Sequence, residues 1–167
     1  MAKIAAMRIA TDKSGIRWLD MAIYQTTCSS FKLELLNGVH AFGTTVVRAT
    51  TAPDTFKMAL YTANASLDAN TLVYTATDEV VGTGYTAGGV VLTTVAPILS
   101  GTTACVSFDP AIWSPAEFTA RGALIYNASQ GDKVVAVLNF GSDKTATSTF
   151  TVTFPPDNAD NAIVRVT

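Results

Sequence analysis

One histidine and two cysteines are all that 167 residues supply of the side chains most used in metal binding and nucleophilic catalysis. A Ser/His/Asp or Cys/His mechanism would have to be built on His40 alone. Zinc sites drawing on several histidines are excluded, and Cys28 and Cys105 lack metal-ligand spacing. Charge is scarce too: Asp, Glu, Lys and Arg make up 14% of the chain, and the formal net charge is -2. That leaves no basic field to hold a phosphate backbone, so nucleic acid is not an expected partner. No apolar run approaches the roughly 20 residues of a membrane-spanning helix, and no membrane partner is expected. Lys3 and Arg8 are followed by Asp12 before a secretory apolar core develops, so the reading is a protein made and retained in a cytoplasm. Two buried thiols are expected there in preference to a Cys28–Cys105 disulfide. The triplets Asn64-Ala65-Ser66 and Asn127-Ala128-Ser129 read as turns, since glycosylation needs a secretory route.

What the sequence has in quantity is apolar and strand-forming residues. Hydrophobic residues make up 49% of the chain, too many for a disordered polymer and enough, at this length, to bury one core without staples. Twenty-five threonines, with abundant Val and aromatic residues, suit a pleated, half-buried surface. Strands are favoured over helices.

Residues 1–30 show no clean period, with a break at Asp12-Lys13-Ser14-Gly15, and carry Trp18, Met21, Ile23 and Tyr24. They read as an arm that packs on its own domain or a neighbour, or as an extra edge strand of the same domain. Residues 31–167 form one domain. Ser30 is placed to cap a short helix through Phe31, Leu33, Leu35 and Leu36, stopped by Asn37-Gly38. From Thr55 to Tyr61 the pattern alternates, with Phe56, Met58 and Leu60 on the buried face. Further strands are expected over 90–95, 104–108, 118–126, 134–140, 150–154 and 162–166. They are separated by turn-rich stretches at 68–70, 82–89, 100–101, 110–115, 127–133 and 141–145. Ala123 to Tyr126 and Val134 to Leu138 are nearly continuous apolar runs, as in central strands covered on both faces, and are expected to pair antiparallel. Seven or eight strands without alternating helices point to an all-β fold, an antiparallel β-sandwich of immunoglobulin-like or jelly-roll type.

The motifs that invite a chemical reading resolve into turns. Gly82-Thr83-Gly84-Tyr85-Thr86-Ala87-Gly88-Gly89 misplaces the third glycine of a dinucleotide loop and lacks a βαβ setting. Asp157-Asn158-Ala159-Asp160-Asn161 is oxygen-rich but lacks the glycine and distal Glu of an EF-hand. Asp54, Asp68, Asp109, Asp132, Asp143 and Asp157 sit in turns rather than in facing pairs suited to glycoside hydrolysis. Trp113, between Pro110 and Pro115, reads as a plug at one end of the core. No catalytic, cofactor-binding or metal-binding residue is assigned.

A resemblance is carried by Phe56-Lys57-Met58-Ala59-Leu60-Tyr61-Thr62, by Gly82 to Gly89, and by Ala120-Arg121-Gly122-Ala123-Leu124-Ile125-Tyr126-Asn127. Leu36-Asn37-Gly38-Val39-His40 and Val135-Ala136-Val137-Leu138-Asn139-Phe140-Gly141-Ser142-Asp143-Lys144 fit the same pattern. With these blocks, from Phe31 to the C-terminus, the chain resembles small virion structural proteins of tailed bacteriophages. The resemblance implies assembly and not catalysis, with a place in the virion after assembly in the host cytoplasm. The expected role is a capsid decoration or cement protein at capsomer junctions. Its partners would be the major capsid protein or other virion proteins, and it would be a homo-oligomer or copies bound to the lattice. Trp18, Met21, Ile23 and Tyr24 are the expected anchors. A tail, fibre-adaptor or connector component stands as the alternative, with a carbohydrate-binding module as a second and an enzyme last.

Overall fold

The computed structural model describes residues 23–36, 39–42 and 53–166. The strands are β1 (Thr26–Thr27), β2 (Phe56–Tyr61), β3 (Val90–Leu92), β4 (Ile98–Ser100), β5 (Thr103–Val106), β6 (Ala111–Trp113), β7 (Phe118–Asn127), β8 (Lys133–Ala146), β9 (Phe150–Val152) and β10 (Val164–Val166). Helix α1 spans Ser29–Leu36. The fold is all-β with antiparallel strand pairing, a β-sandwich. One sheet runs β1-β8-β7-β2-β3, a second β10-β5-β4, and β6 pairs with β9.

The centre of the large sheet is the β7–β8 hairpin, in which Ala123 faces Leu138 and Leu124 faces Val137. Gly122 to Asn127 and Val134 to Val137 are buried throughout, as are Met58 to Tyr61 on β2. Each fully buried Leu, Ile or Val contributes about 1.5–3 kcal/mol of transfer free energy, so these three strands form the fold's most strongly buried block. The expected single buried face of β2 is corrected here, because the segment after it folds back over its other side. Val80 N–H donates to Leu60 C=O (2.9 Å), Leu60 N–H donates to Tyr85 Oη (2.8 Å), and Tyr61 Oη–H donates to Thr75 C=O (2.5 Å).

Between the sheets aromatic rings run in two files. Phe42 stacks on Phe56 at 4.4 Å, Phe56 meets Phe108 at 5.8 Å, and Phe108 meets Phe154 at 5.5 Å. At the other end Trp113, Phe118 and Phe150 meet at 5.2–5.9 Å. Trp113 is 3% exposed, yet the stretch from Pro110 to Pro115 is not simply a turn: Ala111 to Trp113 pair with β9, with Ile112 outward. The expected turn at 141–145 also differs. The chain stays paired with β7 through Ala146, and from Gly122↔Asn139 to Ala120↔Lys144 it advances two residues on β7 against five on β8. A bulge therefore absorbs the polar stretch and bends the strand.

Cys28 N–H still donates to Val135 C=O (3.3 Å), so α1 begins as soon as that tie to β8 ends, at Ser29. Ser30 is thus inside the helix and not its cap, and its buried hydroxyl has no partner. Asn37 and Gly38 lie outside the described residues, but Val39 N–H donates to Glu34 C=O (2.9 Å), tying the chain after α1 back onto its last turn. Cys28 and Cys105 are both buried free thiols. Among the described residues no helix is long and apolar enough to cross a membrane.

Candidate interaction surface

Polar side chains that could do chemistry are gathered in two buried clusters. The first is built on His40. Glu34 Oε2 lies 2.9 Å from His40 Nε2, and since a carboxylate only accepts, that nitrogen carries the proton. His40 Nδ1 then accepts from Asn127 Nδ2 (3.0 Å). Asn127 Nδ2 also donates to Asp54 Oδ2 (2.9 Å), and Asp54 accepts further bonds from Ala41 N–H (2.8 Å) and Gln130 Nε2 (3.1 Å). Lys133 Nζ closes the string on Glu34 Oε1 (2.5 Å). Burial holds the His40 imidazole below its ordinary pKa, against the upward pull of the Glu34 carboxylate. For Glu34 burial pushes up, but hydrogen bonds from Lys133 and His40 prevail and hold the carboxyl below the usual range. The string joins α1, the segment 39–42, Asp54, the end of β7 and the start of β8. What the string does is pin these pieces together. Asp54, read from the sequence as a turn residue, is one of its hubs.

The second cluster closes on Glu79, which is 8% exposed. Its carboxylate accepts from Tyr74 Oη (2.6 Å), Tyr85 Oη (2.5 Å) and Gly88 N–H (2.7 Å). Tyr126 Oη donates to Gly88 C=O (2.7 Å). Burial above all, then proximity to Asp132 and Glu79, pushes the Tyr126 phenol up to about 12. Burial and the Glu79 carboxylate raise Tyr74 and Tyr85 further. This cluster clips the segment 71–89 onto β2 and β7.

The glycine-rich stretch belongs to the same clip. A Cβ on Gly84 would stand 1.7 Å from Pro115 C=O, and one on Gly89 1.7 Å from Met58 C=O, both at positive φ. The glycines are there so that backbone can lie on backbone. In the loop 157–161, Asn158 Oδ1 accepts from the N–H groups of Asp160 and Asn161, and Arg165 donates to the carbonyls of Ala159 and Asp160. Arg165 thus binds two of the loop's carbonyls, while the buried Oδ1 and Oδ2 of Asp157 have no hydrogen-bond partner among the described residues. Among the described residues no group of three or more His, Cys, Asp or Glu could hold a metal ion.

Of the four expected anchors, Trp18 and Met21 lie outside the described residues. Ile23 is not free to anchor a partner: it is 4% exposed, bridges to Leu67, and packs where a Cβ on Gly122 would fall 2.8 Å from its Cδ1. Tyr24 is 52% exposed, while its N–H donates to Leu67 C=O. The two are neighbours in the chain but point to opposite environments. The described part of residues 1–30 carries the edge strand β1, where Thr26 faces Val137.

Exposed apolar residues also lie on the sheet β10-β5-β4. Pairing aligns Leu99, Ala104 and Val166 in one row across its three strands. Leu99 is 72% and Val166 51% exposed, with Ile98 on the same edge strand at 44%. Among the described residues neither β4 nor β10 has a further strand beside it, and β4 carries no charge to blunt its edge. The sequence reading missed this surface. Its signal is the apolar run Val95-Ala96-Pro97-Ile98-Leu99, broken by proline, where a covered strand would not be. Set against protein-family models, curated proteins and solved structures, the chain matches none.

Proposed function

We propose that the chain is a non-enzymatic structural protein of a virion, a capsid decoration or cement protein that binds the outer shell at capsomer junctions. The supporting observation is the row Leu99–Ala104–Val166 on a sheet whose two edges are unpaired among the described residues. Its apolar surface is on the order of 300 Å², within the range of the largest patch on an ordinary monomer. A stable pairwise complex buries about 800 Å² per partner, so this row by itself gives a weak contact. Weak contacts suit a repeating lattice, where many copies reinforce one another. The buried clusters around His40 and Glu79 fit the same reading, since they stiffen the body that presents the row.

The test is co-sedimentation of the purified chain with shells stripped of it. A Leu99→Asp, Val166→Asp double variant places charge on exposed positions and should keep its thermal stability while losing shell binding. Binding at the native level would remove this surface from the proposal.

A further inference from the structure

His40 is the chain's single histidine, and it is the member of its polar string whose ordinary pKa lies nearest neutrality. The imidazole is inaccessible to solvent and packs with the rings of Phe31 (4.9 Å between centroids), Phe42 (6.2 Å) and Phe56 (6.4 Å). Among the described residues the charged groups facing it are Glu34 from α1, Asp54 ahead of β2, and Lys133 at the start of β8, which reaches it through Glu34. From the end of β7 comes the uncharged Asn127.

The bonds of Asn127 leave no room for a charged His40. Its amide nitrogen has two hydrogens, one donated to His40 Nδ1 and one to Asp54 Oδ2, while its Oδ1 accepts from Ser129 N–H. With Nε2 already protonated toward Glu34, a second proton must go to Nδ1, where it points at the Asn127 amide, donor against donor. Turning that amide over gives Nδ1–H an acceptor, but sets Oδ1 against the Asp54 carboxylate and Nδ2 against Ser129 N–H. Swinging the imidazolium onto Asp54 instead takes the oxygen that Asn127 and Ala41 N–H share. Each route breaks bonds that hold the turn Ala128–Gln130 and the segment 39–42 together, and buried groups left unpaired are costly. The ladder Ala59↔Leu124↔Val137 contains none of these side chains. We propose that His40 is a proton-operated latch: charging it displaces Asn127 and frees the turn 128–130 and the segment 39–42 from one another, while β2, β7 and β8 stay paired. Burial outweighs the pull of Glu34 and Asp54 on the proton, so the latch is closed at neutral pH and opens below the ordinary 6.5 of histidine. The inference is independent of the virion reading.

A pH titration of the ¹⁵N-labelled full-length chain by NMR tests it, because a single histidine gives a single imidazole signal. At neutral pH the imidazole should be the Nε2–H tautomer, and it should titrate in one step below pH 6.5. Across that step the amides of Ala41 and Ser129, corrected for intrinsic exchange, should lose hydrogen-exchange protection at least ten-fold. Those of Ala123 to Ile125 should keep theirs. In His40→Gln the step should disappear; a step that persists there would assign it to the carboxylates and overturn the proposal. The native titration decides even where that variant does not fold. An imidazole that stays neutral until the whole chain unfolds, or that charges without moving Ala41 and Ser129, would overturn the latch. So would loss of protection at Ala123 to Ile125 with the same midpoint, which is global unfolding.

Discussion

Asn127 is fully buried, and replacing it with alanine tests whether the string around His40 holds the fold together. The substitution leaves His40 Nδ1 without a donor inside a side chain that is itself inaccessible to solvent. A buried orphan of this kind costs about 1–3 kcal/mol. Asp54 Oδ2 loses one donor and keeps Ala41 N–H, a smaller loss. Asn127 Oδ1 also caps the turn Ala128–Gln130 through Ser129 N–H (3.1 Å), and losing such a cap costs about 0.5–2 kcal/mol. Together these give about 1.5–5 kcal/mol, a large share of the 5–15 kcal/mol typical of a domain. Urea unfolding should show the midpoint falling with an unchanged slope. Asn127→Asp separates the two contributions, because it keeps the cap but turns a carboxylate toward Asp54. It should destabilise at least as much near neutral pH. A loss under about 1 kcal/mol in Asn127→Asp would refute the network and leave only the cap.

The remaining predictions concern pH, the start of the described chain and the glycine clip. The folded pKa of His40 lies below its ordinary 6.5, so the unfolded chain binds more protons below that pH and stability should fall as pH drops through 6.5. Glu34, lowered from 4.5, adds stability that is lost at more acid pH. In unfolding midpoints against pH, His40→Gln should flatten the upper part of this slope, and an unchanged slope there would contradict the assignment. Ile23→Ala should cost about 2–5 kcal/mol, checked by thermal melts; a loss under about 1 kcal/mol would mean that Ile23 is not a core residue. Gly89→Ala should abolish soluble folded protein. Gly101→Ala, whose added Cβ meets nothing within 4 Å, should cost only about 1–2 kcal/mol of backbone strain.

The sequence was most legible where burial is continuous. The runs Ala123 to Tyr126 and Val134 to Leu138 read as a covered antiparallel pair because no polar residue interrupts them, and they pair as read. The strand expected over 150–154 is present likewise at Phe150–Val152, with Phe150 and Phe154 both 8% exposed. Short strands bounded by proline or glycine were not legible: β6 lies between Pro110 and Pro115, β4 between Pro97 and Gly101, and the far half of β8 follows Gly141. There local turn chemistry points one way and pairing with a distant strand decides the other. The polar clusters were hidden for a related reason. His40 and Asn127 are 87 residues apart, and only the folded sheet brings them together.

The central claim is that this chain functions through repeated contacts on a viral shell. It is tested most directly by counting copies of the chain against the major shell protein in purified virions, using quantitative mass spectrometry. Hundreds of copies in a simple ratio to the shell protein are the expected result. A dozen or a few dozen would move the chain to the tail or portal vertex, and its absence from the particles would contradict the account.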